Sequence, residues 1–106
     1  MSRPASSYVV VDAFTEAERP LAIEHIQRAI AEADGVIVDF SFFAKAVRMT
    51  IELDGEGLRR LRTALGAAAV TLRERCEAAL DAAERLLAPT RPIKAMLTVA
   101  LEPPRG

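Results

Sequence analysis

Tryptophan and asparagine are absent from this chain of 106 residues, and cysteine and histidine occur once each, as Cys76 and His25. A lone cysteine excludes an internal disulfide framework and a thiolate metal cluster, so the expectation is a reducing compartment. A lone histidine excludes catalysis by a histidine pair. Long hydrophobic runs are also missing. The run Tyr8 to Val11 is closed by Asp12 and is too short for a signal-peptide core or a membrane span, which predicts a cytoplasmic protein with no membrane partner. The formal charge of -1 supplies no general attraction for nucleic acid. Gly55 and Gly57 lack the lysine and hydroxyl of a phosphate loop and fit a strand-to-helix turn.

What is present is a globular composition, 51% hydrophobic and 27% charged. It fits one α+β domain over 1–106, with a core of about 7–101 and flexible tails at 1–6 and 102–106. Arginine far outnumbers lysine and alanine is abundant, a usage typical of GC-rich bacterial genomes. Charge is mildly polarised, with acids in excess before residue 55 and bases in excess after it.

Ser7 to Phe14 is β-branched and aromatic and reads as a strand. Pro20 belongs in a first helical turn, so a helix is expected from Arg19 or Pro20. Ala22, Ile26, Ala29, Ile30 and Ala33 carry it through Asp34, with Gly35 as the stop. Val36 to Phe43 reads as a strand with Val36, Val38, Phe40 and Phe42 on one face, and Ile37, Asp39, Ser41 and Phe43 on the other. Val47, Met49, Ile51 and Leu53 alternate with Arg48, Thr50 and Glu52, a period of two that makes a hairpin with the preceding strand. From Leu58 the apolar positions Leu61, Leu65, Ala68, Leu72, Cys76, Leu80, Ala83 and Leu87 keep helical spacing to Ala88. One helix of that length would measure about 45 Å, so it is expected to be long or kinked near Gly66. Lys94 to Leu101 alternates again as a last strand.

The order is βαββαβ. It predicts a ferredoxin-like fold: a four-stranded antiparallel sheet, first and third strands central, with both helices on one face. The opposite face has no helix of its own.

Each candidate for chemistry has a simpler structural reading. His25, among Glu24, Gln27 and Arg28, fits a helix surface, and Cys76, between Leu72 and Leu80, fits a small buried apolar residue. Asp12, Asp39, Glu52 and Asp54 lie in or beside strands without metal-ligand spacing, so neither a metal nor a cofactor is expected. Arg59, Arg60, Arg62, Arg73 and Arg75 are balanced by Glu74, Glu77, Asp81 and Glu84 as a solvated helix face. Phe40, Phe42 and Phe43 read as core and interface residues, and the third strand lacks the aromatic signature of an RNA-recognition motif. No catalytic set emerges.

From Tyr8 to Leu101 the element order resembles the ACT and ACT-like regulatory domains. The local likeness lies in Glu18-Arg19-Pro20-Leu21-Ala22-Ile23, similar to the acidic-x-Pro-Gly-Leu start of the first helix in that family, with Leu21 where the family has glycine. The run Val47 to Leu65 is similar to the third strand and second helix. The resemblance implies a homodimeric, non-catalytic module that binds an amino-acid-like molecule where the first strand meets its helix, near Asp12, Thr15, Glu16 and Arg19. The alternative is a dimeric α+β-barrel enzyme whose open-face residues Asp39, Ser41, Arg48 and Glu52 act on a small substrate. Replacing His25 or Cys76 with alanine is expected to leave binding intact, at a stability cost of about 1 kcal/mol for Cys76 and almost none for His25. Denaturant titration of each variant, alongside its binding, checks this.

Overall fold

The computed structural model describes residues 7–86 and 89–102. The expected flexibility of 1–6 and 103–106, and the end of the apolar stripe at Leu87 and Ala88, lie outside the described residues. The elements are β1 (Ser7–Thr15), α1 (Arg19–Glu32), β2 (Val36–Phe43), β3 (Ala46–Asp54), α2 (Gly55–Ala67), β4 (Thr71–Leu72), α3 (Glu74–Leu86) and β5 (Pro92–Leu101). The class is α+β, as expected, but the sheet has five strands in the order β2-β3-β5-β1-β4 and is not wholly antiparallel. β1 and β5 run parallel, from Ser7 opposite Ile93 to Thr15 opposite Leu101. The other pairs are antiparallel. β1 and β3 are both interior, yet β5 lies between them.

The departure begins within the long apolar stripe, which is two helices with a strand between them. α2 ends because Ala69 takes a left-handed conformation, φ 61°, and Val70 N–H turns back to the Leu65 carbonyl at 2.9 Å. An L-residue pays about 1–2 kcal/mol in that region. Val70 and Thr71 are β-branched and enter an extended segment, and Leu72 and Thr71 pair with Ala13 and Phe14 on the outer edge of β1. Leu58, Leu61, Leu65, Leu72, Cys76 and Leu80 are all buried, so the stripe correctly reports which side faces the core. It missed the break because only Ala68 represents it there. The second connection thereby gains a reversal, and β5 enters antiparallel to β3.

One core forms between the sheet and its helices. Val11 and Ala13 of β1, Val47, Met49 and Ile51 of β3, and Ala95, Leu97 and Val99 of β5 meet Ile26 and Ile30 of α1, Leu58, Leu61 and Leu65 of α2, and Leu80 of α3. α1 starts at Arg19 with Pro20 in its first turn. Its stop is made by Asp34, φ 57°, not by Gly35. Gly35 serves close packing instead, since a Cβ there would lie 3.0 Å from methyl groups of both Ile30 and Ile51.

α2 is anchored at its start. Asp54 caps it, Oδ1 accepting from Gly57 N–H at 2.6 Å, and the carbonyls of Arg91 and Pro89 accept from Gly55 and Glu56. These bonds satisfy donors that a helix start leaves open. Arg62 ties α2 to α3 through Asp81 at 2.8 Å and Glu84 at 2.9 Å; the hydrogen bond to Asp81, opposed by partial burial, raises its already high pKa further.

The edge strand β2 holds a second correction. Its register shifts between Ile37 and Asp39, so Val38 is a bulge residue and the face pattern changes phase there. Ile37, Phe40 and Phe42 share the helix side with Ile51, Met49 and Val47, while Asp39, Ser41 and Phe43 share the helix-free side with Thr50, Arg48 and Ala46. An uninterrupted alternation cannot anticipate a one-residue insertion.

Two of the glycines in α2, Gly57 and Gly66, separate close approach from chance. A Cβ on Gly57 would sit 2.8 Å from the Ala33 carbonyl oxygen, whereas one on Gly66 meets nothing within 4 Å. Gly57→Ala is expected to destabilise the fold by about 1–3 kcal/mol through overpacking. Gly66→Ala is expected to stabilise it by about 0.5–1 kcal/mol. Urea midpoints of the two variants should move in opposite directions.

Candidate functional site

The expected binding region, where β1 meets α1, contains a cleft of about 640 Å³ lined by Ala17, Glu18, Arg19, Ala44, Lys45, Leu101 and Glu102. Three chain segments build it. The β2–β3 turn is only Ala44 and Lys45, with Phe43 opposite Ala46. Among the described non-glycine residues only Asp34 and Ala69 have positive φ, so this turn lacks the primed geometry that best matches strand twist. Arg19 compensates: one terminal nitrogen donates to the Phe43 carbonyl and, at 2.9 Å, to that of Ala44. Its guanidinium also lies 5.9 Å from the Phe42 ring centroid. The end of β5 closes the third side, with Leu101 N–H bonded to the Lys45 carbonyl and Glu102 N–H to that of Thr15, both at 2.8 Å.

The lining therefore has two cations, Arg19 and Lys45, and two carboxylates, Glu18 and Glu102. Glu102 is also paired with Arg73 at 2.6 Å, and Arg73 in turn stacks 4.4 Å from the Phe14 ring centroid.

Of the four residues expected to bind a ligand, Thr15 and Glu16 border one cavity, whereas Arg19 and Asp12 lie elsewhere. Arg19 lines the cleft. Thr15 is buried, donating to the Ala69 carbonyl at 3.1 Å and accepting from Ala17 N–H at 3.3 Å, and so braces the end of α2. Glu16 faces a neighbouring cavity of about 350 Å³ with His25, Ala69 and Thr71. Asp12 pairs with Thr98 on the helix-free side. Lys45 and Glu102 escaped the sequence reading because a turn lysine and a carboxylate in a presumed tail carry no pattern; only the closure of three segments brings them together.

The helix-free face carries exposed apolar residues. Tyr8 and Val10 are each 51% exposed there, beside Met96, Thr50 and the ion pair of Glu52 with Lys94 at 3.9 Å. Arg48 donates from Nε to Thr98 Oγ1 at 3.1 Å and lies 5.0 Å from the Phe43 ring. The two residues given structural readings have distinct surroundings. Cys76 accepts from Asp12 N–H through Sγ at 3.2 Å, on the edge of β1 beyond β4. His25 borders two cavities, and its Nδ1 is buried without a hydrogen-bond partner. No cluster of His, Cys, Asp or Glu suited to a metal ion occurs among the described residues, and no helix among them is long and apolar enough to cross a membrane.

No family model, no curated protein and no solved structure matches the chain.

Arg19 is thus both a cleft residue and the clamp of the hairpin. Arg19→Ala is expected to cost about 0.5–1.5 kcal/mol and to raise amide exchange at residues 44–46 while leaving α2 protected. Hydrogen exchange of the variant against the unmodified chain measures it.

Proposed function

We propose that this chain is a non-catalytic binding module that works as a homodimer through the helix-free face of its sheet, the role implied by the likeness of Glu18 to Ile23 to the first helix of ACT-like domains. The observation that carries this reading is the half-exposed apolar centre of that face, Tyr8 and Val10, set within the polar residues Asp12, Arg48, Glu52, Thr98 and Lys94. A contiguous apolar patch rimmed by polar groups is characteristic of interaction surfaces. Edge-to-edge pairing is less favoured. β2, the outer strand on that side, is interrupted by the bulge at Val38, and its Phe40 N–H is taken by the Asp39 carboxylate at 2.9 Å, both devices that discourage sheet extension.

The cleft supports a sensing role. Arg19 and Lys45 would meet the carboxylate of a small zwitterion, and Glu18 and Glu102 its ammonium group, the complementarity that an amino-acid-like metabolite requires. The enzyme alternative has weaker support: Ser41 faces Arg48 in one row, but Asp39 and Glu52 lie one and two rows away, and Asp39, Arg48 and Glu52 have local partners, so the four do not converge on one reacting centre.

Light scattering is expected to give twice the chain mass, and a concentration-independent monomer would refute the dimer. For the cleft, a thermal-shift screen of the common amino acids is decisive. A ligand at one hundred times its dissociation constant adds about 2.7 kcal/mol of stability, and Arg19→Ala or Glu102→Gln should abolish the shift. No shift at millimolar concentration would leave interaction alone as the role.

A further inference from the structure

Laid out by register, the helix-free face has a two-fold pattern. Cross-strand partners share a face, so one row across β3, β5 and β1 reads Arg48, Thr98, Asp12; the next reads Thr50, Met96, Val10; the third reads Glu52, Lys94, Tyr8. Adjacent rows lie about 6.8 Å apart along the strands.

We propose that two copies pack sheet against sheet about a two-fold axis that crosses the strands along the middle row. This rests on the dimer reading above and specifies its geometry. About that axis Arg48 comes opposite the partner's Glu52, and Glu52 opposite the partner's Arg48. Asp12 meets the partner's Tyr8, a carboxylate facing a phenol, and Thr98 meets the partner's Lys94. Val10 and Met96 meet their own counterparts at the centre. The result is an apolar middle flanked on both sides by paired charges, with sheets at the usual spacing of about 10 Å, which an arginine side chain spans from its own side. The Nε bond to Thr98 uses one of the five N–H donors of Arg48.

Other axes fit less well. An axis along β5 brings Arg48 opposite the partner's Asp12 but sets Lys94 against itself at the centre and lays Val10 on the partner's Thr50. One along the seam of β3 and β5 lays the Asp39 carboxylate on Val10. An axis across the strands through the Arg48 row opposes Arg48 to Arg48 and Asp12 to Asp12. Along the middle row the one like-charge meeting is Asp39 with its counterpart, at the exposed rim where such charges are screened and where Asp39 is turned back to its own backbone.

The test exchanges charges. Arg48→Glu and Glu52→Arg each place like charges across the axis, and each is expected to raise the dimer dissociation constant about 100-fold or more. Mixing the two variants brings opposite charges together at both contacts, because the first chain offers only carboxylates and the second only guanidinium groups. A heterodimer should therefore form from two proteins that are each monomeric alone, as read by sedimentation velocity, with circular dichroism confirming that both are folded. The double variant Arg48→Glu/Glu52→Arg should be dimeric again. An unmodified chain that is dimeric while both single variants remain so, or a mixture that stays monomeric, overturns this axis and leaves the dimer standing. An unmodified chain that is monomeric at every concentration removes the dimer itself, and with it the axis.

Discussion

The parallel register of β1 with β5, from Ser7 opposite Ile93 to Thr15 opposite Leu101, holds the molecule together at its centre. β5 is bonded along both edges, to β1 on one side and β3 on the other, and its alternate residues Ile93, Ala95, Leu97 and Val99 are buried under the helices. A strand so placed supplies backbone pairing to two neighbours and side chains to the core at once. It also determines that Thr98, Met96 and Lys94 form the middle column of the opposite face, and that Leu101 and Glu102 reach the end of the sheet where the cleft opens.

That register depends on how the chain returns from β3. A single helix from α2 onward would bring the last strand back parallel to β3. The left-handed Ala69, the short β4 and the separate α3 add one reversal, and the strain at an alanine in that conformation is offset by what surrounds it: Thr15 holds the Ala69 carbonyl, and β4 pairs with Ala13 and Phe14 at the end of β1. α3 is held by the buried Leu80 and Cys76 and by Arg62 of α2, which pairs with Asp81 and Glu84. Its charges, which look like a solvated face in the sequence, are in part the attachment of one helix to another.

The cleft and the helix-free face are linked through Glu102. Its carboxylate lines the cleft and holds Arg73, whose guanidinium lies over Phe14 on the helix-free face.

Much of this was legible in the sequence because burial imposes a period. Alternation at Val47 to Leu53 and at Lys94 to Leu101, and three-four spacing in α1 and along Leu58 to Leu80, identified the core-facing residues and the α+β class; Pro20 placed the first helix. Local signals failed where the deciding event is an insertion or a long-range choice. The bulge at Val38 shifts the phase of β2, Ala68 conceals the break between α2 and α3, and nothing local tells β5 which strand to lie beside. The expected site suffered the same limit. Asp12 and Thr15 are close in sequence but lie on opposite faces of one strand, while Arg19, Lys45 and Glu102 are distant in sequence and become neighbours only when three segments close. Periodicity reports which side of an element is buried; only tertiary pairing decides which elements are neighbours, and a site is made of neighbours.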